Sequence, residues 1–285
     1  MFKFIAPRVF SFDIEWVPDP VSADLLFGVK NNPPQSYEEA FNMLWKDAGA
    51  TQENPRPFVK TPLCKIVSLC GVLREDTPDG IQLKLISLPQ EPENQKKWSE
   101  RHLLECFFKA VGPKKPQLVG YNSHNADVPI LIQRAIALGV DSYGFASRPD
   151  KPWEGADYFS TAGDYNIDLA TIVGRWGRMP RLHEMAVISG IPGKIDVSGD
   201  NVWNLWLQKK YDAIVNYNEF DALTTHLLWA RTAHFGGLLS TKDYEYEQAL
   251  VRELIETEML DRRPHLKRFL EKWDSINAIL SERRD

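Results

Sequence analysis

Three short segments carry side chains whose types and spacing could do chemistry. The first is Asp13-Ile14-Glu15, within residues 8–16, where Phe10, Phe12, Ile14 and Trp16 alternate with Ser11, Asp13 and Glu15. That period of two predicts a half-buried β-strand. Both carboxylates then share one face, ~6.5–7 Å apart along the chain. Two acids set so close among apolar neighbours repel each other and lose hydration unless a cation lies between them. A solvated polar face on an edge strand would give the same pattern, and an Asp-x-Glu alone is weak evidence in a chain this acidic.

The second segment runs from Gly120-Tyr121-Asn122 to Asp127-Val128-Pro129. A strand enters a loop there, and Asp127 falls where the next helix begins. A carboxylate at a helix start is favoured by the free N–H groups, so plain capping is a strong competing explanation, and Pro129 supports the helix start. Capping does not, however, ask for Asn122 at the strand's end. In the third segment Tyr217 and Asp221 stand four apart, on one face of a helix. A surface pair would look the same. Only the three segments together suggest a site.

The elements that must position them follow from the same patterns. Residues 36–48 predict a short helix, with Ser36 and Glu39 spaced as a capping box; the rest of residues 18–62 is Pro-rich and loop-like. Residues 66–73 and 81–88 predict two strands joined by the turn signal Pro78-Asp79-Gly80, so the first three strands form a meander. After them come a helix at 99–111, a strand at 117–121, a helix at 128–138 stopped by Gly139, a short strand at 166–169 and a helix at 182–189 ending at Gly190. A longer helix covers about 213–233, and the charged segment beyond Thr241 keeps helical period through Leu250, Leu254, Leu260, Leu266, Phe269 and Leu270. The implied fold class is α/β, a mixed central sheet flanked by helices with a C-terminal helical appendage. The division expected is 1–240 for the main domain and 241–285 for the extension.

Composition narrows the function classes. At 285 residues, 43% apolar and 26% charged, the chain has the balance of a soluble globular protein. No apolar stretch approaches the length of a membrane span, and the start has no signal-peptide pattern, so no membrane partner is expected and the cytoplasm is the expected compartment. Cys64, Cys70 and Cys106 fit neither a disulfide framework nor a zinc site. His124, His183 and His226 lack metal-ligand spacing and read as structural or incidental; Phe10, Phe12 and Trp16 read as core. A net charge of −5 argues against a binder of nucleic acid driven by general charge. Any phosphodiester would have to be met through cations held by the acids.

In this order and separation, the three segments resemble the DEDD exonucleases of the ribonuclease H-like superfamily, in the tyrosine (DEDDy) version. They are most similar to stand-alone bacterial proteins related to the exonuclease domain of family-B DNA polymerases. Phe12-Asp13-Ile14-Glu15 looks like the first motif, Asn122 with Asp127 the second, and Tyr217 with Asp221 the third; the histidine version would want His at 216, where this chain has Asn216. Ala126 departs from the pattern, which usually has Phe before the second-motif Asp. The stretch 182–202, with Gly190-Ile191-Pro192-Gly193-Lys194 and Ser198-Gly199-Asp200, resembles the stand-alone proteins more than the polymerases. The likeness covers residues 8–232.

The resemblance implies a 3′–5′ exonuclease that uses two Mg²⁺ or Mn²⁺ ions. Asp13 would bridge both ions, with Glu15 and Asp221 on one and Asp127 on the other. Tyr217 would position water or phosphate, since a phenol is almost wholly protonated at neutral pH. The implied partner is nucleic acid, single-stranded DNA before RNA. Asn122 is a candidate contact to the terminal nucleotide and Lys194 to a phosphate. Arg175, Trp176, Arg178 and Arg181 mix stacking and phosphate-pairing types, as does any solvated loop with one half-buried Trp. Processing of RNA 3′ ends, or a non-catalytic scaffold that binds nucleic acid, are the competing readings.

Overall fold

The computed structural model describes residues 1–28, 33–92, 94, 98–151, 153–160, 163–174, 177–195 and 201–282. Among them a five-stranded sheet runs in the order β3-β2-β1-β4-β5, from β1 (Arg8–Pro18), β2 (Cys64–Thr77), β3 (Gly80–Leu88), β4 (Gln117–Gly120) and β5 (Asn166–Asp168). The first three pair antiparallel as the expected meander, and the last two run parallel to β1. The helices are α1 (Pro20–Ala23), α2 (Tyr37–Asp47), α3 (Glu100–Lys114), α4 (Asp127–Leu138), α5 (Leu169–Gly174), α6 (Leu182–Ile188), α7 (Val202–Leu207), α8 (Tyr211–Phe235), α9 (Thr241–Asp261) and α10 (Lys267–Glu282). This is a mixed α/β, ribonuclease H-like sheet flanked by helices, with helices at its C-terminal end.

Side-chain alternation along β1 divides the interior in two. Phe10, Phe12 and Ile14 point into a core shared with Phe41 and Leu44 of α2, Phe107 of α3 and Leu131 of α4. Val9 points the other way, into a core built with Val72, Val119, Leu223 and Trp229, to which Val251, Ile255, Phe269 and Trp273 of the C-terminal helices contribute. Asp13 and Glu15 have the parity of Val9. They therefore face α8, which crosses the sheet against β1 and β2.

Helix ends follow their local chemistry. Ser36 Oγ accepts the Glu39 N–H at 3.1 Å, while the Glu39 carboxylate takes the Gln35 N–H at 2.7 Å instead of closing the reciprocal bond of a capping box. Ser99 caps α3, and α4 ends at Gly139 with φ +61°, a conformation natural to glycine.

Three expectations need correction. β1 is not half-buried: Ser11 is fully covered and Glu15 is 8% exposed, because α8, some two hundred residues downstream, lies over the polar face. Segment 18–62 holds more than one helix, since Asp19 accepts the N–H groups of Val21 and Ser22 and so starts α1. Trp16 packs against the first core but is only half-buried, and it borders an open cleft beside Glu15.

Candidate active site

The central strand and the longest helix bring the site together. Asp13 and Glu15 leave β1 on the α8 side, and Asp221 comes to meet them from α8. One oxygen from each of these carboxylates lies within 4.8 Å of the others. Glu15 and Asp221 are buried and Asp13 is half-buried. Asp127, the first residue of α4, joins from the side. Its Oδ1 accepts the backbone N–H of Ile14 at 3.1 Å, between the two β1 acids. The carboxylate thus reaches across to the strand, which helix capping alone would not require.

Burial and mutual repulsion set the charge state. Asp13 is pushed well up by burial, then by the charges of Asp127, Glu15 and Asp221, with Lys194 opposing. Glu15 is raised by burial and by Asp221, again against Lys194. Burial lifts Asp127 to about 7, although the Ile14 N–H opposes the shift. Burial lifts Asp221 to about 6 against the Tyr217 hydrogen bond and Lys194. The Tyr217 hydroxyl is held far above its ordinary value by burial and then by Asp221, Glu15 and Asp13, so it remains a donor.

These residues fit hard divalent cations. The donors are all carboxylate oxygens, which Mg²⁺ and Mn²⁺ prefer. Asp221 Oδ1 is a buried acceptor with no hydrogen-bond partner among the described residues, which is costly for a carboxylate unless something positive meets it.

The lysine expected to meet a phosphate also lies against the cluster. Lys194 is exposed, with its ammonium 5.8 Å from the centre of the Tyr217 ring, and its charge acts on Asp13, Glu15 and Asp221. Its backbone N–H donates to His183 Nδ1 at 3.0 Å. Gly193 makes that approach possible. It has φ +44°, and a Cβ there would meet His183 Nδ1 at 2.5 Å.

Asn122, at φ +62°, opens the loop that ends in Asp127, and its Oδ1 accepts from Asn125 at 2.9 Å. Sequence reasoning missed what holds this loop. Asp168, at the end of β5, accepts the backbone N–H groups of Asn122 at 2.7 Å, His124 at 3.1 Å and Ala170 at 3.0 Å. The only local signal was an acid at the end of a short strand. His226, read as structural or incidental, is structural: it is buried against Ser11 Oγ at 3.0 Å and kept neutral by burial, its pKa pushed down to about 3. Arg178 and Arg181 are exposed, whereas Arg175, Trp176 and 198–200 lie outside the described residues.

A ribonuclease H-like sheet with buried acids gathered at its central strand makes a cluster that could hold metal ions. Comparisons with known proteins give the family. Residues 56–273 match the family model described as a predicted 3′–5′ exonuclease related to the exonuclease domain of PolB, and the chain belongs to that family. Asp127, Tyr217 and Asp221 fall inside the match, while Asp13 and Glu15 lie ahead of it. The chain is also similar to a DNA polymerase of Archaeoglobus fulgidus, 25% identical over 175 residues. That alignment covers 58% of this chain and 21% of the polymerase, so the chain spans about a fifth of its relative's length.

Proposed function

We propose that the protein removes nucleotides from the 3′ end of single-stranded DNA by hydrolysis, with two Mg²⁺ or Mn²⁺ ions held by Asp13, Glu15, Asp127 and Asp221. The observation that carries this reading is the convergence of three buried or half-buried carboxylates within 4.8 Å, in a chain of this exonuclease family. Asp13, Glu15 and Asp221 would hold one ion, and Asp13 with Asp127 the other. Such ions polarise the phosphoryl oxygen, make water a better nucleophile near neutral pH and stabilise the leaving 3′-oxygen.

The chain's own groups supply position and charge. Asp127 bonds the backbone between the two β1 acids, so loop and strand hold one geometry. Tyr217 stays protonated and donates to Asp221, which makes it an orienting group and not a base. Lys194 offers an exposed ammonium beside the cluster, able to take a phosphate oxygen as the strand enters. Asn122 stands at the start of the Asp127 loop as a contact for the terminal nucleotide.

The test is incubation with 5′-labelled single-stranded DNA and RNA in Mg²⁺, Mn²⁺ or EDTA, beside an Asp13→Asn control. A ladder of products shortened from the 3′ end, faster on DNA and absent with EDTA or the variant, is the expected result. A ladder on RNA alone would replace DNA by RNA as substrate. Intact strands of both kinds with either metal would leave a binding scaffold.

A further inference from the structure

The acidic cluster opens on one side into a cleft of about 430 Å³ that the proposed chemistry does not use. Glu15 forms its inner end. Trp16, Phe58, Trp45, Trp203 and Arg56 supply most of the rest. Phe58 stands at the mouth, 54% exposed, with its ring edge-on to Trp16 at 5.0 Å between centroids. Deeper in, Trp45 and Trp203 meet edge to face at 5.4 Å, and the Arg56 guanidinium lies over Trp203 at 4.2 Å and over Trp45 at 5.7 Å. Arg56 is exposed, and its guanidinium rests on the two indoles.

An exposed phenyl ring beside a half-buried indole costs solvation without stabilising the core. Arg56, on the wall of the same cleft, adds a positive charge to a space that Glu15 borders. Together they offer an exposed aromatic face and one cation, the elements by which single-stranded nucleic acid is held independently of sequence. Because Glu15 belongs both to the acidic cluster and to the cleft, whatever enters lies next to any phosphodiester held by the acids.

We infer that this cleft is a nucleobase subsite: a base of the single strand, adjacent to the scissile phosphate, stacks on the exposed ring of Phe58, which Trp16 braces edge-on, and Arg56 meets a neighbouring phosphate. The inference rests on the exonuclease reading. It adds that affinity comes from aromatic stacking and not from a basic surface, consistent with the net charge of −5. Every base has a π-face, so the subsite tolerates sequence but not the loss of the base.

The test compares wild type, Phe58→Ala and Phe58→Tyr on two 5′-fluorescein oligonucleotides, one intact and one with abasic residues at its last two 3′ positions. KM and kcat are measured in Mg²⁺, and binding is followed by anisotropy in EDTA. Phe58 is exposed, so the alanine variant keeps the fold, and circular dichroism verifies this. Phe58→Ala is expected to weaken binding and raise KM for the intact strand about tenfold, the range of a lost base stack. Phe58→Tyr restores wild-type values, and on the abasic strand all three proteins behave alike. Equal KM for wild type and Phe58→Ala on the intact strand, or the same loss on both strands, overturns the subsite while the nuclease reading stands. A wild type that neither binds nor cuts either strand removes both.

Discussion

At the scale of single residues, the site trades stability for charge. An acid whose pKa is higher in the folded than in the unfolded protein binds protons more tightly when folded. Stability then falls as pH rises from its unfolded value, near 4, through its folded value, and stays low above that. Asp221, lifted to about 6, and Asp127, lifted to about 7, put that loss between roughly pH 4 and 7 in metal-free protein. Buried His226 works the other way. Its folded value near 3 makes the fold lose stability as pH drops below about 6.5, so a bare pH profile mixes the two. Comparison with Asp221→Asn separates them. In EDTA at pH 8 that variant should be more stable than wild type by on the order of 2 kcal/mol, and the gain should vanish near pH 4. A thermal denaturation series showing no gain at pH 8 would mean that the carboxylate is compensated by something within the protein. Excess Mg²⁺ should stabilise wild type more than the variant. Tyr217→Phe keeps the ring packed and removes only the hydroxyl. It should lower kcat/KM roughly ten- to a hundredfold, the worth of a hydrogen bond to a charged group, with little change in melting temperature. Loss of the fold in this variant would make Tyr217 structural.

The elements that carry these residues were legible where the signal is local and hidden where it is not. Alternation from Phe10 to Trp16 located β1, Ser36 and Ser99 marked two helix starts, and Gly139 marked an end. The same alternation misjudged exposure. Polar Ser11 and Glu15 suggested solvent, yet α8 packs over this strand with polar groups of its own, His226 meeting Ser11 and Asn218 meeting Ser68 of β2. A polar face can be an interior face when its cover is polar, and no local pattern announces a cover so far along the chain. Phe58 and Arg56 fell in a segment read as Pro-rich loop, because their placement beside Glu15 is purely tertiary. Asp168 was overlooked for the same reason, while His183, read as structural or incidental, holds the Lys194 backbone N–H. Asp168 makes the sharper prediction. Asp168→Ala would leave three N–H donors of the second-motif loop and α5 without their acceptor, costing roughly 3 kcal/mol of stability. Because that loop ends in Asp127, kcat should fall as well, even under conditions where the variant is fully folded. A variant with reduced melting temperature but unchanged kcat would show that Asp127 is held by its own bond to Ile14 without help from β5.

For the molecule as a whole, the question is whether residues 241–285 are an attachment or part of the body. At 240/241 a new helix starts, since the Ser240 hydroxyl and the Asp243 carboxylate close a capping box ahead of α9. The interior argues for dependence. Val251, Ile255, Leu266, Phe269 and Trp273 belong to the same buried cluster as Val9, Val72 and Trp229, so removing them would open one face of the sheet and of α8 to water. Two buried charges also depend on the C-terminal helices. Arg74 of β2 pairs with Glu247 at 2.7 Å, both nearly sealed from solvent. Glu219, two residues before Asp221 on α8, receives Arg263 at 2.7 Å and His265 at 2.6 Å, along with the Ser87 hydroxyl. Taking one partner from a buried pair costs about 3–5 kcal/mol, so losing both sets would approach or exceed the whole stability of a typical domain. A 1–240 fragment is therefore expected to show no cooperative thermal transition and to bind a hydrophobic dye. Full-length Glu247→Ala tests the same dependence more gently and should melt several degrees lower with its kcat retained, because Arg74 lies away from the acids. If the fragment instead melts cooperatively near the wild-type temperature and still shortens a labelled strand, the second core is dispensable and the C-terminal helices are an independent unit. Failure of the fragment together with a lowered melting temperature for Glu247→Ala would mean that α8, and with it Asp221, is held from behind by these helices.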